Sequence, residues 1–156
     1  AASWNSHHAR LPYLGPIPES WEAGGASPGV PMRLPLHQID AFATRPFEGN
    51  PAAVMPLEDW LPEGLMQRIA EENNLSETAF LVKEPSGWRV RWFTTVSEID
   101  LCGHATLASA WLILNELEPG GSSVAFQSCS GPLRACTAMI SVEALSMTVS
   151  ASSFSS

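Results

Sequence analysis

The sequence predicts an α+β domain in which a β-sheet wraps around one central, buried helix. Residues 105–114 contain no charged side chain, and the next charge is Glu116. A helix without a polar face has to be buried on nearly every side. Around it lie short segments that are apolar throughout or alternate apolar with polar, separated by Gly, Pro and Asn clusters, as strands and turns require. One further segment, residues 62–74, has the helical spacing of a single apolar face.

The chain has 156 residues, a length that suits one domain of ~100–200 residues. Apolar residues make up 45% and charged residues 15%, against ~25% charged in an average soluble domain. The net charge of −8, with no Lys/Arg-rich run, argues against nucleic acid or an anionic membrane surface as a partner. Cys102, Cys129 and Cys136 are odd in number and form no CxxC, which is neither a disulfide framework nor a zinc signature. Reduced thiols in a cytoplasmic protein are the simplest reading. The first thirty residues lack the basic start and apolar core of a signal peptide. The longest uncharged apolar stretch, residues 104–115, is shorter than the ~20 residues that span a membrane.

Residues 1–31 are dense in proline and glycine, so they are expected to be a disordered extension. The character changes at Met32, which is expected to be the natural initiator, with a domain running from 32 to 135. Within it, residues 36–42 suit a strand. Gly49-Asn50-Pro51 signals a turn, and residues 52–57 a second strand. Pro62 and Glu63 open the amphipathic helix. Leu65, Met66, Ile69 and Ala70 share its inner face; Gln67, Arg68, Glu71 and Glu72 face away. Asn73-Asn74 ends it, since Asn tolerates a left-handed cap. Residues 78–82 and 88–93 form strands joined through Pro85-Ser86-Gly87, with Arg89 and Arg91 on one face and Trp88, Val90 and Trp92 on the other. Strands at 123–127 and from 133 onward follow the charge-free helix. The tract 136–156 is serine-rich, with Glu143 its one charged residue. A strand within 140–149 is expected there, and the shift in composition reads as a truncation or a change of frame.

Candidate chemistry concentrates in two places. Glu77 follows the first helix and opens an apolar strand. Burial of a carboxylate disfavours its ionised form, which suits a group that takes a proton and returns it; the alternative is a surface glutamate at a strand edge. Cys102-Gly103-His104 leads into the buried helix, whose unpaired N–H groups and dipole suit a carboxylate ligand. Gly103 would let backbone approach the ligand, and His104 would donate a hydrogen bond. Cys102, at a helix start, would have a lowered pKa and act as base or nucleophile. The alternative makes Cys102 a small core residue and His104 a cap. Glu98 and Asp100 could orient His104 or be solvated turn residues, and Arg45, Arg89 and Arg91 could pair with carboxylates. His7, His8 and His37 lack ligand-spaced companions, so no metal is expected. No phosphate-binding glycine loop and no GxSxG elbow occur.

Several segments together resemble one family. They are Ile39-Asp40-Ala41-Phe42, Phe47-Glu48-Gly49-Asn50-Pro51-Ala52-Ala53-Val54, Asn74-Leu75-Ser76-Glu77-Thr78-Ala79-Phe80, Arg91-Trp92-Phe93-Thr94 and Asp100-Leu101-Cys102-Gly103-His104-Ala105-Thr106-Leu107. Their order and spacing resemble the N-terminal domain of PhzF-like proteins, over residues 32–135. The resemblance implies a diaminopimelate epimerase-like fold, a mixed sheet or barrel around a central helix, with the active site between two such domains. It implies an isomerase that works without cofactor or metal on a small carboxylate-bearing metabolite and is typically a homodimer. Glu77 would be its acid/base and His104, Gly103 and Cys102 its substrate contacts.

Two departures bear on this. Cys102 stands where the phenazine enzyme lacks cysteine and related epimerases carry a catalytic one, which opens an amino-acid epimerase or racemase reading. The Asp-Pro-x-Thr-Gly-Ser type loop of the second domain is not found in the sequence. Half a cleft neither excludes water nor positions a substrate well, so a half-protein would be inactive, or a fragment that binds a partner or dimerises.

Overall fold

The structure is a computed structural model that describes residues 33–43, 48–137 and 145–147. The proline-rich tract, Met32, Arg45 and most of the serine-rich tract therefore lie outside the described residues.

Among the described residues, eight strands and two α-helices follow the order β1 (His37–Ala41), β2 (Asn50–Leu57), α1 (Glu63–Asn73), β3 (Glu77–Glu84), β4 (Gly87–Phe93), β5 (Glu98–Ile99), α2 (Gly103–Leu112), β6 (Ser123–Ser128), β7 (Gly131–Cys136) and β8 (Leu145–Met147). They make one mixed sheet in the order β7-β6-β4-β3-β2-β1-β8, with β5 attached to β4. Two neighbouring pairs are parallel, β2 with β3 and β4 with β6. A parallel pair needs a long crossover. Helix α1 lies in the first crossover and α2 in the second.

The sheet separates two cores, and strand alternation assigns each residue to one of them. Ala52, Val54, Ala79, Leu81, Trp88, Val90 and Trp92 cluster with Ala105, Ala108, Ala110 and Leu112 of α2. Met55, Leu57, Phe80, Val82 and Phe93 cluster with Leu65, Met66, Ile69 and Ala70 of α1. Helix α2 packs on β1, β2, β3 and β7. The sheet thus curls around it as a half-barrel, as its missing polar face requires.

The helix ends differ in how well the sequence marks them. Pro62 stands at the N-cap of α1, and Asn74 caps the other end in the left-handed region, φ 49° and ψ 35°. Gln67 does not face away from the protein as expected: its amide donates to the Thr94 carbonyl at 3.1 Å. Helix α2 starts at Gly103, earlier than the charge-free run suggests, because Cys102 in extended geometry (φ −139°) is its N-cap. It continues as a π-helical turn, Ile113–Leu117, closed by the Glu118 N–H donating to the Ile113 carbonyl at 2.7 Å. The β3–β4 hairpin turns where expected. Gly87, at φ +136°, is needed there because a Cβ would sit 2.8 Å from the Ala125 carbonyl oxygen. The strand expected within 140–149 is β8, paired antiparallel with β1.

Candidate active site

Glu77 is the first residue of β3, in parallel register with Ala52 of β2. The left-handed cap at Asn74 turns the chain out of α1 and into that strand. Asn73 fixes the turn by donating to the Thr78 hydroxyl at 3.1 Å. The preceding residue, Ser76, ties β3 to β2: its hydroxyl lies 3.1 Å from the Pro51 carbonyl oxygen and 3.4 Å from the Asn50 side-chain oxygen.

The second half of the site comes from the start of α2, which meets β2 and β3 across the inner core. His104 is the point where the two halves join. Its Nε2 lies 2.8 Å from Glu77 Oε2, with both side chains mostly buried, and 3.4 Å from the Ser76 hydroxyl. Its Nδ1 lies 3.3 Å from Cys102 Sγ. Glu77 Oε2 is itself buried and has no hydrogen-bond partner among the described residues. The close contact with His104 is therefore an approach of charge-bearing groups without the geometry of a hydrogen bond.

Cys102 departs from expectation. Burial pushes its thiol up from the ordinary cysteine range, and the nearby Glu77 carboxylate pushes the same way, against a smaller lowering by the Ala105 and His104 amides. At a helix start a lowered thiol was expected; loss of hydration outweighs the dipole here. Cys102 is thus a protonated thiol at neutral pH, with its sulfur in contact with His104 Nδ1. Gly103 is exposed, and apart from its chain neighbours and its own helix backbone no atom lies within 4 Å of where a Cβ would stand.

The other carboxylates do not orient His104. Glu98 is held by Arg91, at 2.6 Å to Nε and 2.5 Å to an Nη nitrogen. Asp100 accepts from Ser130 through its backbone carbonyl at 2.9 Å. Arg91 also binds Glu63 at 2.9 Å, and the Glu98 contact above all pushes its pKa up. Arg89 reaches Glu84 at 3.5 Å. The arginines thus bind α1 and the hairpin to the sheet, away from Glu77. Ser76 and Asn50 were not expected at the site. Their only signal was adjacency to Glu77 and to the Gly49-Asn50-Pro51 turn. Glu77, Cys102 and His104 also offer three donor atoms within 4.8 Å of one another, a grouping that the spacing of the histidines did not reveal.

Comparison with known proteins decides the family. The family model described as "Phenazine biosynthesis-like protein" matches residues 39–153. The chain belongs to the phenazine biosynthesis-like family. The match continues past residue 135 into the serine-rich tract. A protein of Pseudomonas aeruginosa named as an uncharacterized isomerase is 54% identical over 102 residues, 65% of this chain and 39% of its own length. The human phenazine biosynthesis-like domain-containing protein is 48% identical over 112 residues, 67% of this chain and 39% of that one. A crystal structure of a PhzF-family phenazine biosynthesis protein from Enterococcus faecalis superposes with TM-score 0.66 at 55% identity, covering 67% of this chain and 40% of that one. A predicted epimerase of Pseudomonas aeruginosa superposes at 0.59 with 30% identity, covering 65% and 37%. This phenazine biosynthesis-like chain thus has the diaminopimelate epimerase-like α+β fold, and it spans about 40% of the length of the relatives it matches. No described helix is long and apolar enough to cross a membrane.

Proposed function

We propose that the chain carries the proton-transfer side of a cofactor-independent isomerase acting on a small carboxylate-bearing metabolite. The observation that carries this reading is the buried Glu77 Oε2, without a hydrogen-bond partner and 2.8 Å from His104 Nε2. A carboxylate oxygen held in place but unspent on the protein is suited to accept a proton from substrate carbon and return it to another. His104 contacts the substrate, and the backbone at Cys102-Gly103, at the head of α2, receives its carboxylate. The open space over Gly103 leaves room for that approach. The isomerase and epimerase names of the relatives support the reaction class.

A second reading is favoured by the protonated Cys102 thiol 3.3 Å from His104 Nδ1. In that reading Cys102 is one base, and the reaction is epimerisation or racemisation of an amino acid. A homodimer, as the family resemblance implies, and a reducing, cytoplasmic setting belong to the same proposal.

The test is solvent deuterium incorporation, followed by mass spectrometry, into a panel of small acids bearing a C–H next to a carboxylate or conjugated system. Glu77→Gln should lower incorporation by at least ~100-fold; unchanged incorporation would refute the assignment. Cys102→Ala separates the two readings. A change within about 10-fold fits Glu77 acting alone, and a loss of ~100-fold or more fits the two-base reaction.

A further inference from the structure

His104 presents its two ring nitrogens to different neighbours, and such neighbours decide which nitrogen of an imidazole carries the proton. Nε2 has two side-chain oxygens close to it. Glu77 Oε2 is the nearer, at 2.8 Å, but makes no hydrogen bond. The Ser76 hydroxyl lies at 3.4 Å and does have hydrogen-bond geometry. A serine hydroxyl has one proton to give and two lone pairs with which to receive. Its other neighbours are the Pro51 carbonyl oxygen at 3.1 Å and the Asn50 side-chain oxygen at 3.4 Å. A carbonyl oxygen only accepts. The Ser76 proton therefore goes to Pro51, its shortest contact, and His104 meets a lone pair.

We propose that Ser76 is a positioning residue that holds the uncharged imidazole of His104 in the Nε2–H tautomer. The contacts on both sides of the ring agree with this. A bare Nε2 would set its lone pair against the Glu77 carboxylate oxygen at 2.8 Å, whereas an N–H offers that oxygen the positive end of a dipole. Nδ1 is then the bare nitrogen, and its neighbour at 3.3 Å is Cys102 Sγ. That thiol keeps its proton because burial pushes its pKa up, so in this tautomer it faces Nδ1 as a donor. One proton fills each gap in the series: Cys102 S–H to Nδ1, Nε2–H to Ser76, and Ser76 O–H to the Pro51 carbonyl. The edge of the ring beside Glu77 is thereby a hydrogen-bond donor, which is what a substrate gaining negative charge as Glu77 removes its proton requires. That use of the donor rests on the isomerase reading; the tautomer does not, and it is measured without substrate.

The full chain, labelled with nitrogen-15, is studied by long-range proton–nitrogen correlation NMR at about pH 8, above the ordinary imidazole range. The sequence holds four histidines, and the signals that vanish in His104→Gln are those of His104. A protonated-type signal from Nε2 and a bare-type signal from Nδ1 are expected. Ser76→Ala should move both nitrogens to intermediate shifts as the second tautomer becomes populated. Ser76→Thr, which keeps the hydroxyl, should restore the parental pattern. Ser76 is exposed, so neither variant opens a cavity, and circular dichroism checks that each is folded. The reverse pattern in the parent, or two protonated nitrogens, overturns the tautomer. A parental pattern in Ser76→Ala overturns the role of Ser76. Where deuterium exchange is measurable, Ser76→Ala should slow it about 10-fold, with Ser76→Thr near the parent. Parental exchange in a Ser76→Ala protein whose tautomer has moved overturns the use of the donor, whereas parental exchange in Glu77→Gln tells against the isomerase reading itself.

Discussion

At the scale of single residues, Gly103 separates stability from ligand binding. Its backbone is not in the left-handed region, and a methyl group there would meet no atom within 4 Å beyond its chain neighbours and its own helix backbone. Gly103→Ala should therefore change unfolding free energy by no more than about 0.5 kcal/mol. The methyl would project into the opening through which a ligand reaches the head of α2, so the same substitution should raise the substrate Kd or KM. Urea denaturation and substrate titration on one preparation check both halves; a large loss of stability would mean that the position is structural. Asp40 gives the opposite kind of case. Its carboxyl is pushed up by burial in β1, so the folded state binds a proton more tightly than the unfolded state does. Any stability linked to that proton is present below the unfolded pKa and is lost as pH rises through the folded one. Asp40→Asn should thus stabilise the domain near neutral pH, with the advantage shrinking towards zero in strong acid. Thermal melts across that range measure it, and an advantage that grows as pH falls would contradict the sign.

Among the elements, α1 was the most legible and its C-terminus is the most testable. Asn74 holds φ 49° with its N–H donating to the Ala70 and Glu71 carbonyls. Ala in that conformation costs ~1–2 kcal/mol, whereas Gly meets no such penalty. Asn74→Ala should destabilise by about 1 kcal/mol and Asn74→Gly should be near neutral, as read from denaturant midpoints; equal losses would mean that the Asn side chain, not the backbone, is what matters. Pro62, Glu63 and the Leu65/Met66/Ile69/Ala70 face announced this helix because each is a local signal. Helix α2 was legible in kind, since only burial suits an uncharged helix, but not in its start. Cys102 caps it without a side-chain hydrogen bond, and cysteine is no recognisable cap. The π-helical turn left no sequence signal at all. Glu77, Cys102 and His104 were nameable because each lies in a family motif. Their meeting depends on parallel pairing of β2 with β3 and on the crossover of α2, neither of which is visible in local periodicity. Ser76 escaped notice for the same reason: its partners Pro51 and His104 are 25 and 28 residues away in sequence.

For the whole molecule, the decisive fact is that the curled sheet closes on a helix of small residues. Ala105, Ala108, Ser109 and Ala110 are all 0% exposed, and Ser109 returns its hydroxyl to the Ala105 carbonyl at 2.7 Å instead of seeking water. Small side chains let β1, β2, β3 and β7 all approach one helix, and that approach is what carries Cys102 and His104, at its head, to Glu77 on β3. Lengthening a side chain inside this ring cannot be absorbed by rotation towards solvent, because the helix has no solvent face. Ala108→Leu should therefore destabilise by about 1–3 kcal/mol through overpacking. By contrast, Arg68→Ala, on the exposed face of α1, should stay within about 0.5 kcal/mol. Because α2 must shift against the sheet to accommodate the added atoms, Ala108→Leu should also loosen the His104–Glu77 contact. That loosening would appear as slower deuterium exchange at temperatures where the variant is still fully folded. If stability falls while exchange stays at the parent's level, the core tolerates the shift away from the head of α2. The geometry of the site would then be set by the β2–β3 pairing through Ser76 rather than by the central helix.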